Sequence, residues 1–345
     1  MVTDNMRPGV YSSYTVTSRY AAPRSPRGAA LICGTSFQLA EKTYRLTSYG
    51  QAAELFSAAS SRRALECCRI LFENGVSPIW FSMLDRGYGA ALNRLAEEDE
   101  IGAVITDCTG PLDVKAMMES VEESCGKLHE RLIFFGIGEV ALAMSTAKAV
   151  NSERAVVCCP GVSPISSENR AAIYGACALA GRVLANNDPV YNYNGCVLDG
   201  VETPDKLAED DIQQLLAGGV TVLEEVGGQV ECVRAVTTRT LSNGAEDNSM
   251  RPLNTILIID DVLRGIRQSL RARLRGAKLA GQSFASVASQ VTVELAAKQD
   301  DGIITGFDAP SVYAHSADPT VCVVELAFRV ANVIGQIHIT AHVQV

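Results

Sequence analysis

The chain has 345 residues, of which 47% are hydrophobic and 6% aromatic, and its formal net charge is −9. This length predicts about two domains with a sizeable apolar core, and the acidic balance argues against a nucleic-acid-binding protein. No apolar run reaches the ~18–20 residues that a membrane-spanning helix needs, and the N-terminal sequence lacks the apolar core of a signal peptide, so we expect synthesis and folding in the cytosol without membrane insertion.

The first 27 residues are predicted to form an N-terminal arm and a linker. Residues 10–17 have a strand-like composition, and the segment AAPRSPRG that follows contains two prolines typical of a linker. The arm positions expected to pair with another subunit are Val10, Tyr11, Tyr14 and Val16.

Residues 28–200 alternate short apolar strands with helical patterns. This alternation predicts an α/β domain with a mostly parallel sheet and helices on both faces. The predicted strands are 29–34, 77–84, 101–107, 131–136 and 155–159, and the predicted helices are 49–59, 62–74, 90–98, 111–127, a helix ending at 150, and 169–185.

Residues 201–332 have a different, α+β pattern. A helix is predicted over 204–217 with Thr203 as its N-cap, followed by a hairpin of strands 220–226 and 229–237 around Gly227-Gly228. Two helices over 255–274 and 284–298 and a strand over 320–330 complete this second domain.

Residues 333–345 are predicted to be a C-terminal strand arm, because apolar and polar residues alternate from Ile337 onward. A strand with unpaired backbone groups is a sheet edge, and such edges favour pairing with another chain. The arm positions on its apolar face are Ile337, Ile339, Ala341, Val343 and Val345.

A basic cluster lies in the helix predicted over 255–274 and just after it. Arg264, Arg267 and Arg271 have i, i+3, i+7 spacing and therefore share one helix face. This face is either simply solvated or a docking surface for an acidic partner. The candidate docking residues are Arg264, Arg267, Arg271, Arg275 and Lys278. The neighbouring pair Asp260-Asp261 is interpreted as acids at a helix start that favour the dipole.

Motifs for catalysis are weak in this sequence. Gly136-Ile137-Gly138 follows a predicted strand and is similar to a dinucleotide-binding turn, but the next strand ends in Cys-Cys-Pro-Gly without the acid that would hold the ribose. A tight strand-to-helix turn accounts for these glycines, and a nucleotide-dependent α/β enzyme stays as the alternative. We expect no catalytic residues and no cofactor.

The histidines and cysteines likewise give no site. The four histidines, His129, His315, His338 and His342, accompany no Gly-x-Ser-x-Gly motif. The eleven cysteines form no CxxC pair, so we expect free buried thiols and no metal.

Several segments, in this order, resemble the tail sheath proteins of contractile phage tails and related injection particles. The resemblance is strongest over residues 1–20 and about 204–345. It rests on the opening RPGVY at 7–11, the hairpin strands GGVTVL at 218–223 and VRAVTTRT at 233–240, the helix IIDDVLRGIRQSL at 258–270, and DPT at 318–320 followed by VEL at 324–326.

The resemblance implies a structural, non-enzymatic subunit. Family members form stacked six-membered rings around an inner tail tube, exchange terminal strands between subunits, and contract to drive the tube through a target envelope. It also implies a subtilisin-like domain over 28–200 without protease activity, a C-terminal sheath domain over 201–332, and baseplate and tail terminator proteins as further partners. The particle would be a phage, a tail-like bacteriocin or another injection machine, and a different self-assembling shell or filament protein is a further alternative.

Overall fold

The computed structural model describes residues 27–34, 39–165, 169–202, 204–274, 281–318 and 321–335. The arm positions predicted at 10–16 and 337–345, together with Arg275 and Lys278, lie outside these residues. The helices are α1 Tyr49–Leu55, α2 Arg62–Glu73, α3 Tyr88–Asn93, α4 Pro111–Gly126, α5 Val140–Val150, α6 Ala172–Ala185, α7 Glu209–Ala217, α8 Leu253–Leu274 and α9 Gly281–Asp300.

Seventeen strands are found in the described residues. They are β1 Gly28–Ile32, β2 Thr43–Leu46, β3 Ile79–Ser82, β4 Ile101–Thr106, β5 Leu132–Gly136, β6 Ala155–Cys159, β7 Ser163–Pro164, β8 Cys196–Val197, β9 Val201–Glu202, β10 Val220–Val226, β11 Gln229–Arg234, β12 Leu241–Ser242, β13 Ala245–Glu246, β14 Ile304–Phe307, β15 Ser311–Ala314, β16 Cys322–Glu325 and β17 Phe328–Val330.

A large twisted sheet organises the first two thirds of the chain. Its strand order is β2-β3-β1-β4-β5-β6-β10-β11-β8, and the six strands from β3 to β10 in this order are parallel. The interior strands β1, β4, β5 and β6 are buried along their whole length, which is typical of a parallel sheet covered on both faces. The predicted mostly parallel α/β architecture is confirmed.

Helices cover both faces of this sheet. One buried cluster joins the sheet to α1, α2, α6 and the start of α8, and the other joins it to α3, α4, α5 and α7. Helix α6 is the most deeply buried, with 12 of its 14 residues inside. Its small residues explain this placement, because alanine and glycine allow the helix to lie close to the strands.

The hairpin of β10 and β11 continues the large sheet. Strand β10 pairs in parallel with β6, and β11 pairs antiparallel with β10. Gly227 and Gly228 have φ values of 60° and 84°, the left-handed conformation that a two-residue hairpin turn requires. The hairpin prediction is thus correct up to Arg234, and the hairpin belongs to the same sheet as β1, β4, β5 and β6.

The C-terminal region contains α8, α9 and two small antiparallel sheets, β14–β17 and β15–β16. Its own buried cluster is formed by one face of each helix and by Ile303 and Ile304. The α+β character predicted for this region is confirmed.

Several element predictions are wrong in their bounds. Helices α1 and α3 end at Leu55 and Asn93, not at 59 and 98. Helix α7 begins at Glu209 with Ala208 as its N-cap, not at residue 204, because the preceding segment is extended and Asp205 is held by Gly161 and Arg170. The strand predicted over 320–330 is two strands, β16 and β17, which pair with different partners. Strands β2, β14 and β15 were not predicted at all.

None of the helices in the described residues is long and apolar enough to span a membrane.

Candidate docking surface

Helix α8 connects the two parts of the molecule. Leu253 and Ile256 at its start are buried against the large sheet, whereas Ile258, Val262 and Ile266 pack on α9 and the small sheets. The polar side chains of α8 therefore lie at the junction between the large sheet and the C-terminal region. Their partners within the chain determine which of them are available to bind another protein.

The two aspartates of α8 act as ion-pair partners. Asp260 accepts two hydrogen bonds from the guanidinium of Arg154, one of them at 2.8 Å, and Asp261 lies 2.5 Å from Lys298 of α9. The interpretation that they serve the helix dipole is wrong, because α8 begins at Leu253, two turns earlier. Asp260 fastens α8 to the sheet and Asp261 fastens it to α9.

Two of the predicted docking arginines bind the same carboxylate. Arg264 donates to Glu130 at 3.3 Å and Arg267 donates to its other oxygen. The Glu130 side chain is 7% exposed, and those of the two arginines are 30% and 27% exposed. These arginines therefore hold α8 against the turn after α4, and much of their charge is neutralised within the chain.

The electrostatics of this junction follow from burial and charge. Burial acts to raise the pKa of Glu130, but its own backbone N–H and the two guanidinium groups outweigh that effect and leave the pKa below its usual 4.5. Burial lowers the pKa of Arg27 to about 10, with a further contribution from nearby Arg264. The group of charges is therefore a partly buried network in which Glu130 stays ionised.

Arg271 differs from the other two arginines on this face. Its side chain is exposed, and within the described part of the chain no ion pair to it is formed. It borders a cleft of about 110 Å³ that Lys127 and His129 also line. We call these three residues the outward-facing basic patch. Among the described side chains, Arg271 supplies its unpaired charge, because Lys127 pairs with Glu97 and Glu123 and Asp99 also lines the cleft.

Helix α9 is a second candidate for docking a partner, and it presents a different surface. One face is buried through Val287, Val291 and Leu295. The opposite face is exposed and uncharged at Ser286, Ser289 and Val293, the last 56% exposed. The chain thus offers a basic patch at the end of α8 and a neutral face on α9.

The glycine turn at 136–138 packs against a neighbouring helix. A Cβ on Gly136 would lie 2.4 Å from the backbone nitrogen of Ile173 and 2.5 Å from its Cα. Only glycine fits where the start of α6 approaches the end of β5, and that approach occupies the space beside the turn. This packing explains Gly136, whereas a Cβ on Gly138 would lie no closer than 3.8 Å to a neighbouring atom.

All eleven cysteines are free in this structure, and nine of them are buried. Of the histidines, His129 contacts the Ala96 carbonyl and His315 accepts from the Ala317 N–H at 3.2 Å. His338 and His342 lie outside the described residues. No group of three or more His, Cys, Asp or Glu in the described ranges could hold a metal ion.

Sequence reasoning missed the partners of the basic face. Glu130 precedes Arg264 by 134 positions, and Arg154 precedes Asp260 by 106. One buried acid in a turn produces no periodic pattern in the sequence from which its burial could be predicted. Glu130 stands out in the sequence only as an acid in the charged segment just before strand β5.

Comparisons with known proteins agree with this architecture. Residues 245–344 match the family model described as "Phage tail sheath C-terminal domain". No curated protein matches the sequence.

Solved structures match nearly the whole chain. A chain of the cryo-EM structure of the anti-feeding prophage (AFP) baseplate, 6-fold symmetrised, has a TM-score of 0.72 at 15% identity, over 99% of this chain and 100% of that one. The AFP helical sheath in contracted state gives 0.69 at 14%, over 97% and 98%. The crystal structure of a sheath tail protein from Desulfitobacterium hafniense gives 0.67 at 9%, over 93% and 100%.

These identities show the fold alone, and the family model adds the identity of the C-terminal domain. The fold of these structures covers 93–99% of the chain. The region of α8, α9 and the small sheets matches the phage tail sheath C-terminal domain family.

Proposed function

We propose that this protein is the structural subunit of a contractile tail sheath, which polymerises as stacked six-membered rings around an inner tube and shortens to drive the tube through a target envelope. The observation that carries the proposal is the sheath C-terminal domain at 245–344 on a chain with the sheath fold. The AFP structures are named as a helical sheath in contracted state and a baseplate, which supports self-assembly and baseplate association here. We assign the chain no enzymatic role.

The two terminal arms would connect the subunits. We propose that residues 10–17 and 337–345 pair with the small sheets of neighbouring copies. In the described residues β14–β17 and β15–β16 have two strands each, so each strand has an edge without a backbone partner. One added strand contributes a few kcal/mol, since each backbone hydrogen bond nets about 0.5–1.5 kcal/mol, and repetition over a lattice makes the connection strong.

Within each subunit, the ion pairs of α8 would make the C-terminal region move with the large sheet. Asp260 and Glu130 bind arginines across the junction. We therefore propose that subunits rotate relative to one another about their terminal arms during contraction. Loss of tube contacts would be offset by new contacts between subunits, which gives the assembly two stable states.

The tube contact is assigned to the outward-facing basic patch, with Arg271 at its centre. Arg264 and Arg267 contribute less than their sequence spacing suggests, because they share the Glu130 carboxylate, which offsets one of their two positive charges. The uncharged face of α9 is the alternative. We place synthesis and assembly in the bacterial cytoplasm, with baseplate and tail terminator proteins as end partners.

Deletion of residues 336–345 tests the arm mechanism. The deletion stops beyond Ile334, whose carbonyl accepts a hydrogen bond from Asn192, so the described core stays intact. We expect a folded subunit with an unchanged circular dichroism spectrum that no longer sediments as a polymer. A truncated chain that polymerises as the full chain does would contradict the arm mechanism.

A further inference from the structure

Two cysteines face each other at the outer edge of the large sheet. Cys196 in β8 is directly opposite Cys232 in β11, in antiparallel register. The backbone N–H of Gly195 donates to the Cys232 carbonyl at 2.7 Å, and Leu198 donates to Val230 at 2.8 Å. Opposed residues of an antiparallel pair have Cα atoms about 4.5–5.5 Å apart, within the range that a disulfide spans.

The two opposed thiols also influence each other electrostatically. The side chain of Cys232, together with Arg182, holds the pKa of Cys196 below its usual value. Cys196 is 6% exposed whereas Cys232 is 0% exposed. Cys196 is therefore the more accessible of the two residues to a small oxidant.

A second group of thiols provides the contrast. Cys33, Cys67 and Cys177 also form side-chain hydrogen bonds, but all three are 0% exposed. Burial raises the pKa of Cys67 and of Cys177, so neither presents a thiolate to solvent. Contact between sulfurs alone does not make a reactive pair.

We propose that Cys196 and Cys232 are a redox-sensitive latch that closes as a cross-strand disulfide in an oxidising medium. With hydrogen peroxide as oxidant, the Cys196 thiolate attacks one peroxide oxygen, and hydroxide leaves as the sulfenic acid forms. Cys232 then attacks that sulfur, and the sulfenic oxygen leaves as water. Two thiols and one peroxide thus give one disulfide and two waters.

The latch would act on the root of the C-terminal arm. Strand β8 follows the loop 186–195, in which the Asn192 amide donates to the Ile334 carbonyl at 3.1 Å. Asn254 of α8 donates to the Pro189 and Tyr191 carbonyls of the same loop, and the Asn194 oxygen accepts from the Ala235 N–H. Fixing β8 to β11 therefore stiffens a loop that contacts both α8 and the segment leading into the arm. This chemistry does not depend on the proposed function.

Thiol counting on the full-length protein tests the latch. The reduced chain is treated with one equivalent of hydrogen peroxide, denatured, and labelled with N-ethylmaleimide. We expect the labels to fall by two from eleven and a non-reduced peptide map to show the 196–232 link. Cys196→Ser and Cys232→Ala should each abolish the loss, whereas Cys33→Ser, the matched control, should still lose two thiols.

Hydrogen exchange tests the coupling to the arm root. In the oxidised protein, amides of residues 193–198 and 331–335 should exchange on the order of tenfold more slowly, and reductant should reverse this. No thiol loss, a sulfinic acid at Cys196, a link between other cysteines or a link between two copies would each overturn the latch. A 196–232 link with unchanged exchange at 331–335 would overturn its action on the arm.

Discussion

The large sheet and the C-terminal region are stabilised in different ways. The sheet has an apolar core on each of its two faces, and its interior strands are buried along their length. The C-terminal region has one small core, strands that are half-buried at best apart from Ile304, and ion pairs that fasten it to the sheet. The large sheet has two edge strands, β2 and β8, among nine, whereas every strand of the small sheets β14–β17 and β15–β16 has an edge without a backbone partner in the described residues.

Shortening one side chain in each region should give the largest difference in the free energy of unfolding. Phe134 lies on the fully buried strand β5, so Phe134→Ala should lower the free energy of unfolding by about 3–5 kcal/mol. Val293 on α9 is 56% exposed, and Val293→Ala should change it by less than about 0.5 kcal/mol. Urea denaturation measures both, and equal effects would contradict the assignment of core and outer face.

Breaking the ion pairs at the junction should have an intermediate effect. Glu130→Gln removes the carboxylate that Arg264 and Arg267 share, so we expect a loss of about 1–3 kcal/mol and faster hydrogen exchange in α8. The matched control is Glu119→Gln, because Glu119 pairs with Lys115 on an exposed surface and should cost less than about 1 kcal/mol. A Glu130→Gln protein whose α8 is as protected as before would show that these ion pairs do not fasten the helix.

The same carboxylate predicts a pH dependence. The pKa of Glu130 is lower in the folded protein than its usual 4.5, so its contribution to stability is complete above that value and is lost as the pH falls through the depressed folded pKa. The stability difference between the protein and Glu130→Gln should be constant near neutral pH and shrink below about 4.5. Denaturant midpoints between about pH 3 and 7 measure it. A difference that grows on acidification would contradict the ionised, arginine-bound state.

Changing the charge of exposed side chains should have the smallest effect on stability. It should also distinguish the two candidate tube contacts, the basic patch at Arg271 and the uncharged face of α9. Arg271→Glu and Val293→Asp each alter an exposed side chain, so stability should change by less than about 0.5 kcal/mol. Co-sedimentation with tube should weaken in Arg271→Glu and lose much of its salt dependence. If Val293→Asp instead abolishes tube binding, the contact belongs to α9.

The sheet was largely predictable because its residues interact locally and periodically. Runs such as those of β1, β4, β5 and β6 are buried on both faces, and composition alone identifies them. Strands β14 and β15 could not be predicted in this way, because their residues are mostly exposed and show no apolar run. These strands form by pairing with β17 and β16.

The basic face shows the limit for the candidate site. Its spacing on α8 was correct, but whether an arginine is available to a partner depends on Glu130, which lies far away in sequence. The same holds for Cys196 and Cys232, whose opposition depends on the register of two short strands. Such pairings between distant segments carry no signal in a single sequence.

Negative-stain electron microscopy of the purified full-length protein tests the central claim most directly. A sheath subunit is expected to form hollow tubes of stacked rings, in the presence of inner tube protein or by itself. Uniform small oligomers under both conditions would contradict the assignment of this chain as the polymerising subunit of a contractile sheath.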